Sequence, residues 1–292
     1  MKHLFLFISS ILIFTSTIAQ RKTRLLTPIT GHYKELAKLS PKALPDSSDR
    51  NQFPVEGLPL TTWTRLTLKP AYLIIPVTDF SIPHFPANSS LQTKAEIEFL
   101  LNLQASARTP EKVKESLEFA EVYYSPKATP QSPNWQKLRT NLFHMGRQIP
   151  WFNPAQLPIT ANFMAKVWAD CSYYFWALKY QFNRTRPYML DARIKNLDNT
   201  NFQAYPSGHS SASYMAAYVY QELLPENTDL FLKNAYDMAY SREILGVHFP
   251  SDSEAGRIFA RQFVNFLLEN PAFQKDLAEA KKEIEKVKNQ SK

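Results

Sequence analysis

The sequence predicts an all-α protein whose main body is a single helical domain over residues 61–271. Apolar residues recur at helical spacing through residues 160–178, at Phe163, Val167, Cys171, Phe175 and Leu178. Residues that favour helix starts precede several other segments. Strand signals are scarce, because the short apolar run 73–75 lies between Pro70 and Pro76, which favours an irregular connection.

The first 19 residues have the features of a secretory signal. Lys2 and His3 give a basic start, residues 4–14 are apolar, and Ala19 supplies the small residue at the cleavage position. The apolar run is too short for a helix that stays in the bilayer. No Cys follows the cut, which argues against a lipoprotein. We therefore expect an exported, periplasmic protein that begins at Gln20.

The segment 20–60 is polar, contains scattered Pro and has no regular period, so it predicts an extended or partly disordered N-terminal arm. The helices that follow are predicted from their caps. Predicted helices begin at Ser89 or Ser90, at Thr109 with Pro110 and Glu111 behind it, at Asn134, at Thr160, at Ser207, at Thr228 and at Ser251. Gly246 would end the helix that begins at Thr228. Glu254 would complete a capping box with Ser251.

The last segment, 272–292, is rich in charge and is predicted to be a charged C-terminal helix or tail. Leu277, Ile284 and Val287 fall along one side, which suggests a solvated helix that frays.

Composition excludes several classes of protein. The chain has 292 residues and a formal net charge of +8, which falls to +7 if the signal and its Lys2 are removed. This balance suits anionic substrates. We find no basic stripe interleaved with aromatic residues, so nucleic acid is not an expected partner. The long helix carries Lys166 and Asp170, which argues against a membrane span in the mature chain.

A single cysteine, Cys171, rules out an intramolecular disulfide, and we expect it to be buried in a helix. Without paired cysteines or a Cys and His cluster, a structural zinc site is not expected, and no cofactor is predicted. The oligomeric state is not indicated.

Three segments carry residues suited to phosphate chemistry. Lys179 and Arg186 lie two helical turns apart, and both could project from one side of a helix; as an alternative they are surface cations, the role expected of Arg184 and Lys195. Arg242 precedes His248, and Asp252 follows that histidine by four residues, an arrangement that orients a histidine nucleophile or base.

The segment 206–209 has the sequence Pro-Ser-Gly-His. Ser207 could cap a helix, and Gly208 would let the backbone approach a ligand closely. Free N–H groups at that helix start would make an anion cradle. Alone, the segment could be only a helix start.

Together the segments read KxxxxxxRP, PSGH and SRxxxxxHxxSD, in that order. They resemble the three-part signature of the type 2 phosphatidic-acid phosphatase (PAP2) superfamily. The soluble members of that superfamily are the bacterial class A non-specific acid phosphatases, and its relatives are the vanadium haloperoxidases. The resemblance covers roughly residues 160–270 and implies the helical fold of the acid phosphatase and vanadium haloperoxidase type.

By this resemblance, His248 attacks phosphorus, Asp252 holds its other ring nitrogen, and His209 protonates the leaving alcohol. Lys179, Arg186, Ser207, Gly208 and Arg242 would bind the phosphate of the substrate. The expected protein is a metal-independent acid phosphatase that acts on small phosphorylated substrates through a phosphohistidine.

Three alternatives remain open from the sequence. One is a lipid phosphate or isoprenyl-pyrophosphate phosphatase that works at a membrane surface. Another is a vanadate-dependent haloperoxidase, since vanadate mimics the phosphate transition state. The third is a phosphate-binding protein without catalysis, although binding alone has no use for both His209 and His248.

Overall fold

The computed structural model describes residues 31–56, 69–123 and 134–290. The predicted signal and the Pro-rich segment 124–133 lie outside the described residues. Within the described ranges the chain is helical and forms no β-strand, which confirms the predicted all-α class. The α-helices are α1 Tyr33–Leu36, α2 Leu91–Ser106, α3 Pro110–Glu121, α4 Trp135–Leu142, α5 Pro158–Phe182, α6 Pro187–Leu190, α7 Gly208–Leu223, α8 Thr228–Ile244, α9 Pro250–Glu269 and α10 Pro271–Gln290. Short 3₁₀ helices lie at Ser47–Arg50, Val77–Asp79, Phe143–Gly146 and Pro225–Asn227.

Helix α7 is the centre of the fold and packs against α5, α8 and α9. Its small residues are buried, among them Ser210, Ala212 and Ala216. The closest approach is at Gly256 of α9, where an added Cβ would lie 2.8 Å from the Ser207 carbonyl oxygen and 2.8 Å from Ser210 Cβ. Glycine at this position therefore allows the second turn of α9 to meet the first turn of α7.

Three of the predicted N-caps are formed as expected, and two of them precede α2 and α3. The Ser90 hydroxyl accepts a hydrogen bond from Thr93 N, and the Thr109 hydroxyl accepts one from Lys112 N. Asn134 makes no side-chain cap, and the helix after it ends at Leu142, where a 3₁₀ turn continues to Gly146.

Helix α5 begins at Pro158 and ends at Phe182, because Asn183 adopts a left-handed conformation with φ of 50°. Arg186 consequently lies beyond the helix, in extended backbone. Cys171 is fully buried on this helix, as predicted. Asp170 is buried too, and its carboxylate accepts hydrogen bonds from the backbone N–H groups of Ala71, Tyr72 and Leu73. None of the described helices is both long and apolar enough to span a membrane.

The start of α9 differs from the prediction. The helix begins at Pro250, and Phe249 occupies the N-cap position, where its N–H donates to Asp252 Oδ2 at 2.9 Å. Ser251 is therefore not the N-cap, and Glu254 pairs with Arg257 instead of completing a capping box. Proline is well suited to the first helical position because its missing N–H has no intrahelical partner there.

Both ends of the described chain pack on the helical body. In the N-terminal arm, Phe53 N donates to Asn183 O at 3.1 Å, and the His32 ring stacks on Phe99. Helix α10 packs on α5 and buries Phe273, Ala280, Ile284 and Val287. Glu283 of α10 accepts hydrogen bonds from Ile159 N at 2.9 Å and Thr160 N at 2.8 Å. The C-terminal helix thus has a buried face and caps the start of α5, whereas the sequence suggested a solvated helix.

Candidate active site

The connection between α8 and α9 positions His248. Gly246 has φ of 71° and ends α8, as predicted. Gly246 N donates to Glu243 O at 2.9 Å and Val247 N donates to Arg242 O at 3.2 Å, which is the Schellman pattern of hydrogen bonds. This tight reversal places His248 between Arg242 in the last turn of α8 and Asp252 in the first turn of α9.

The His248 ring is held at both nitrogens. Nδ1 lies 3.1 Å from Asp252 Oδ2, and Nε2 lies 3.0 Å from Arg186 Nη1. A guanidinium only donates and a carboxylate only accepts, so the ring carries its proton on Nδ1 and presents the Nε2 lone pair. Burial lowers the pKa of His248 well below its usual value, and the positive charges of Arg186, Lys179 and Arg242 lower it further. The ring is therefore neutral, as a nucleophile requires.

Two buried arginines face this histidine with unfilled hydrogen-bond donors. Arg186 donates from Nε to Phe202 O at 2.8 Å and from Nη1 to Val247 O at 2.7 Å. Arg242 donates from Nη2 to Asp198. Arg186 Nη2 and the Nε and Nη1 atoms of Arg242 are buried and have no hydrogen-bond partner within the described ranges.

These unfilled donors point to an anion. Burial lowers the pKa of Arg186 to about 10, which leaves the group charged at neutral pH. Buried polar groups are nearly always hydrogen-bonded, and an unpaired buried charge is costly. A tetrahedral oxyanion between the two guanidinium groups would satisfy these donors with charge-assisted hydrogen bonds.

Lys179 is placed differently from the two arginines. Its ammonium is buried and donates to three backbone carbonyls, those of Gln203 at 2.9 Å, Ala204 at 3.1 Å and Pro206 at 2.7 Å. An ammonium has three N–H donors, so contact with a phosphate would require one carbonyl to be released. In this structure Lys179 braces the loop that leads to Ser207, and its charge still acts on His248.

The Pro-Ser-Gly-His segment begins helix α7 and is joined to α9. Ser207 is the N-cap, as predicted, and its hydroxyl accepts a hydrogen bond from Ser210 N. The Ser207 N–H is occupied, because it donates to Asp252 O at 2.9 Å. Gly208 is the first helical residue, in the turn whose N–H groups have no intrahelical acceptor. A Cβ at Gly208 would lie 3.1 Å from the Phe175 ring, so the position is also tight.

His209 is partly buried, and its ring reaches the end of α3. Its Nε2 lies 3.0 Å from Ala120 O, so this nitrogen carries a proton and donates it to the carbonyl. Burial lowers the pKa of His209 well below its usual value, and the charge of Arg242 acts in the same direction. The ring is thus neutral in the site as described.

One prediction about the surface cations is wrong. Arg184 was expected on the surface, but it is 1% exposed and donates to both Asp252 Oδ1 and Ser251 Oγ at 2.7 Å. Because α5 ends at Phe182, the chain turns and carries this side chain inward, over the Phe249 ring at 4.0 Å. Lys195, by contrast, is exposed as predicted.

Sequence reasoning also missed Glu96, a fully buried carboxylate that contacts Arg184 and Ser251. One signal was present: Glu96 lies four residues before Leu100 on α2, so a charged residue falls on the face that carries the core. Among the described residues, no three His, Cys, Asp or Glu side chains are grouped so that they could hold a metal ion.

The fold and these residues define a helical protein in which a neutral histidine lies near two buried arginines with unfilled hydrogen-bond donors. Residues 163–274 match the model of the PAP2 superfamily. All three motif segments lie within this match, which confirms the resemblance found in the sequence: over these residues the chain is similar to the PAP2 superfamily.

Relatives and a solved structure agree with this assignment. The chain is 46% identical over 85 residues to a non-specific acid phosphatase of Providencia stuartii, a match that covers 29% of this chain and 34% of that protein. It is 29% identical over 187 residues to a non-specific acid phosphatase of Salmonella typhimurium, covering 58% of this chain and 74% of that protein. The fold is similar to that of a bacterial vanadium-dependent iodoperoxidase, with a TM-score of 0.55, 20% identity, and coverage of 80% of this chain and 63% of the other. The match thus spans about a third of the Providencia protein and about three quarters of the Salmonella protein.

Proposed function

We propose that this protein is an exported acid phosphatase that hydrolyses phosphomonoesters through a phosphohistidine at His248. The observation that carries the proposal is the neutral His248 ring, whose Nε2 lies beside two buried arginines with unfilled donors. The names of the relatives agree with phosphomonoester hydrolysis. The predicted signal over residues 1–19 supports export.

Substrate binding would use the free donors of the two arginines. Arg186 Nη2 and the Nε and Nη1 atoms of Arg242 would bind the phosphoryl oxygens. Lys179 stays hydrogen-bonded to backbone carbonyls and contributes its positive charge at longer range. First-turn N–H groups at Gly208 would supplement them. As negative charge builds on the equatorial oxygens in the transition state, these fixed cations stabilise it.

In the first chemical step, the hydrogen bond from Arg186 Nη1 to His248 Nε2 is released, and Nε2 forms a bond to phosphorus as the bond to the leaving-group oxygen breaks. The leaving oxygen takes a proton from His209. The Nδ1 proton of His248 stays in its hydrogen bond to Asp252, whose negative charge stabilises the cationic phosphohistidine.

In the second step, water attacks phosphorus, His209 takes a proton from that water, and the bond between nitrogen and phosphorus breaks. Phosphate leaves, and His248 returns to its neutral form.

Protonation of His209 is coupled to substrate binding in this scheme. The charge of Arg242 contributes to its lowered pKa in the empty site. A bound phosphate dianion would offset that charge and raise the pKa of His209, so the substrate itself favours the protonated acid. We expect a bell-shaped pH profile with an optimum on the acidic side of neutrality.

The test uses purified protein beginning at Gln20, assayed for phosphate release from p-nitrophenyl phosphate and from a panel of alkyl and sugar phosphates. Rapid acid-free quenching with labelled substrate should trap an acid-labile, alkali-stable phosphoenzyme that His248→Ala lacks. Near-normal turnover in His248→Ala would refute the nucleophile. Oxidation of halide by hydrogen peroxide with added vanadate, in the absence of phosphatase activity, would favour the haloperoxidase class instead.

A further inference from the structure

Helix α2 contributes a buried carboxylate to the neighbourhood of the active site. Glu96 is fully buried, and its Oε1 accepts a hydrogen bond from Ser251 N at 2.9 Å. Its Oε2 accepts one from Ser251 Oγ at 2.9 Å and pairs with Arg184 Nη2 at 3.4 Å. Both oxygens of Glu96 are thus bound to the segment that holds Asp252.

Arg184 bridges Glu96 and Asp252. Its Nη2 faces Glu96, and its Nη1 donates to Asp252 Oδ1 at 2.7 Å. The other oxygen of Asp252 accepts from Phe249 N and from His248 Nδ1. A continuous chain of four buried side chains therefore runs from Glu96 through Arg184 and Asp252 to the His248 ring.

The charges along this chain matter for His248. Arg184 alone would draw the negative charge of Asp252 away from the histidine. An ionised Glu96 on the far side of Arg184 offsets that pull, so Asp252 remains a stronger acceptor for the Nδ1 proton. A stronger acceptor there makes Nε2 more nucleophilic and stabilises the cationic ring.

We propose that Glu96 is a positioning residue of this active site, which acts through Arg184 and Ser251 to hold Asp252 and the His248 ring for attack. The proposal rests on the proposed function. Burial of two carboxylates around one guanidinium carries a desolvation cost that an apolar side chain would avoid. The network ends at the His248 imidazole, which is the reacting group in the proposed mechanism. Support of that group is a functional reason for keeping two buried carboxylates here.

The ionisation of Glu96 provides a diagnostic. Burial raises the pKa of Glu96 to about 7, although Arg184 and the hydrogen bonds from Ser251 oppose the rise. The carboxyl is neutral below that pH and charged above it. The charged or titratable groups that face Glu96 are Arg184, Asp252 and Tyr33, and those that face His248 are Asp252, Arg186, Lys179, Arg242 and His209.

The test compares kcat of the wild type with that of Glu96→Gln from pH 5 to 8.5. A neutral Gln resembles the protonated Glu96, so the ratio of the two kcat values should be near one at low pH. It should rise to on the order of tenfold at high pH, with a midpoint near 7, where Glu96 ionises and its charge acts on His248 through Arg184 and Asp252. KM should change less than about twofold, because the phosphate ligands are untouched.

Glu254→Gln is the matched control. Glu254 lies on α9 and pairs with Arg257, and their side chains are 10% and 5% exposed. This pair is buried almost as deeply but is not part of the chain to His248, so its kcat ratio should be flat across pH. A ratio for Glu96→Gln that does not vary with pH, or one that Glu254→Gln reproduces, would overturn the proposal.

Two further measurements cover a folding defect and a failed function. If Glu96→Gln does not fold, Glu96→Asp keeps the charge, so the ratio of the wild-type kcat to its kcat should vary less than about threefold across the pH range. A ratio for this charged variant that rises to on the order of tenfold above pH 7 would contradict the proposal. If the wild type releases no phosphate, the proposed function fails by itself. The link between Glu96 and His248 is then read from the NMR titration of the His248 Cε1–H signal, assigned by its loss in His248→Ala. Because Glu96 is neutral in the low pH range where the lowered pKa of His248 lies, the link is seen as a change in this signal near pH 7, where Glu96 ionises while the ring stays neutral. The change should occur in the wild type and be absent in Glu96→Gln, and a wild-type signal that does not move near pH 7 would refute the link.

Discussion

Replacement of Asp252 by Asn tests how the carboxylate supports the nucleophile. Asp252 Oδ2 accepts two hydrogen bonds, from His248 Nδ1 at 3.1 Å and Phe249 N at 2.9 Å, and Oδ1 accepts one from Arg184 at 2.7 Å. Asn has one acceptor oxygen, which should occupy the Oδ2 position because two donors meet there. The ring then keeps its orientation, but the NH₂ group faces Arg184 and the negative charge beside the ring is lost.

The magnitude follows from the lost charge. A hydrogen bond to a charged group contributes about 1.5–3 kcal/mol, which corresponds to about 10- to 150-fold in rate if it is realised in the transition state. Binding of inorganic phosphate should change less than about threefold, because Arg186 and Arg242 keep all their contacts. The assay measures kcat with p-nitrophenyl phosphate and the inhibition constant of phosphate for the same preparation.

Asp170→Asn is the control, because Asp170 is as fully buried as Asp252 and also accepts three hydrogen bonds, here from backbone N–H groups away from the site. It should lower the melting temperature and leave kcat of the folded protein unchanged. If Asp252→Asn loses less than threefold in kcat, or no more than Asp170→Asn, the carboxylate does not support the nucleophile.

Four other outcomes are expected. His209→Ala should reduce kcat/KM for an alkyl phosphate on the order of 10² more than for p-nitrophenyl phosphate, whose leaving group needs no proton; equal losses would remove His209 as the acid. Gly256→Ala places a Cβ 2.8 Å from Ser207 O and should lower the free energy of unfolding, measured with urea, by about 1–3 kcal/mol. An unchanged free energy of unfolding would mean that α7 and α9 can move apart to accept the methyl group without cost. Burial, together with the charge of Arg147, lowers the pKa of His144 to about 4. Between about pH 6.5 and 4 the unfolded chain binds a proton at this histidine and the folded chain does not, so the free energy of unfolding decreases as pH falls through this range. His144→Gln should make the melting temperature fall less between pH 7 and 5 than it does in the wild type, and an equal fall would contradict this assignment. Chelators should leave phosphatase activity intact, and vanadate should inhibit it. Loss of activity with a chelator that zinc or magnesium restores would show that the Arg and Lys side chains do not stabilise the transition state without a metal ion.

Much of the helical fold could be predicted because helix starts and ends are local. Ser90, Thr109 and Ser207 each cap a backbone N–H three residues away, and Gly246 ends α8 through its own positive φ. Such interactions need only a few neighbouring residues, so the chain order reveals them. His248 and Asp252 are four residues apart across one helical turn, and their pairing was predictable for the same reason.

The sequence by itself therefore determined the helical class, the helix boundaries to within a few residues, and the motif residues of the candidate site. Only the tertiary structure decided that Arg184 is buried, that Lys179 is held by three carbonyls, and that Glu96 joins the site. Each of these depends on where α5 ends and how α2, α7 and α9 pack. Contacts between residues far apart in the chain produce no periodic pattern in the sequence. Whether a charged residue is buried or exposed therefore depends on how the helices pack, which the sequence pattern does not show.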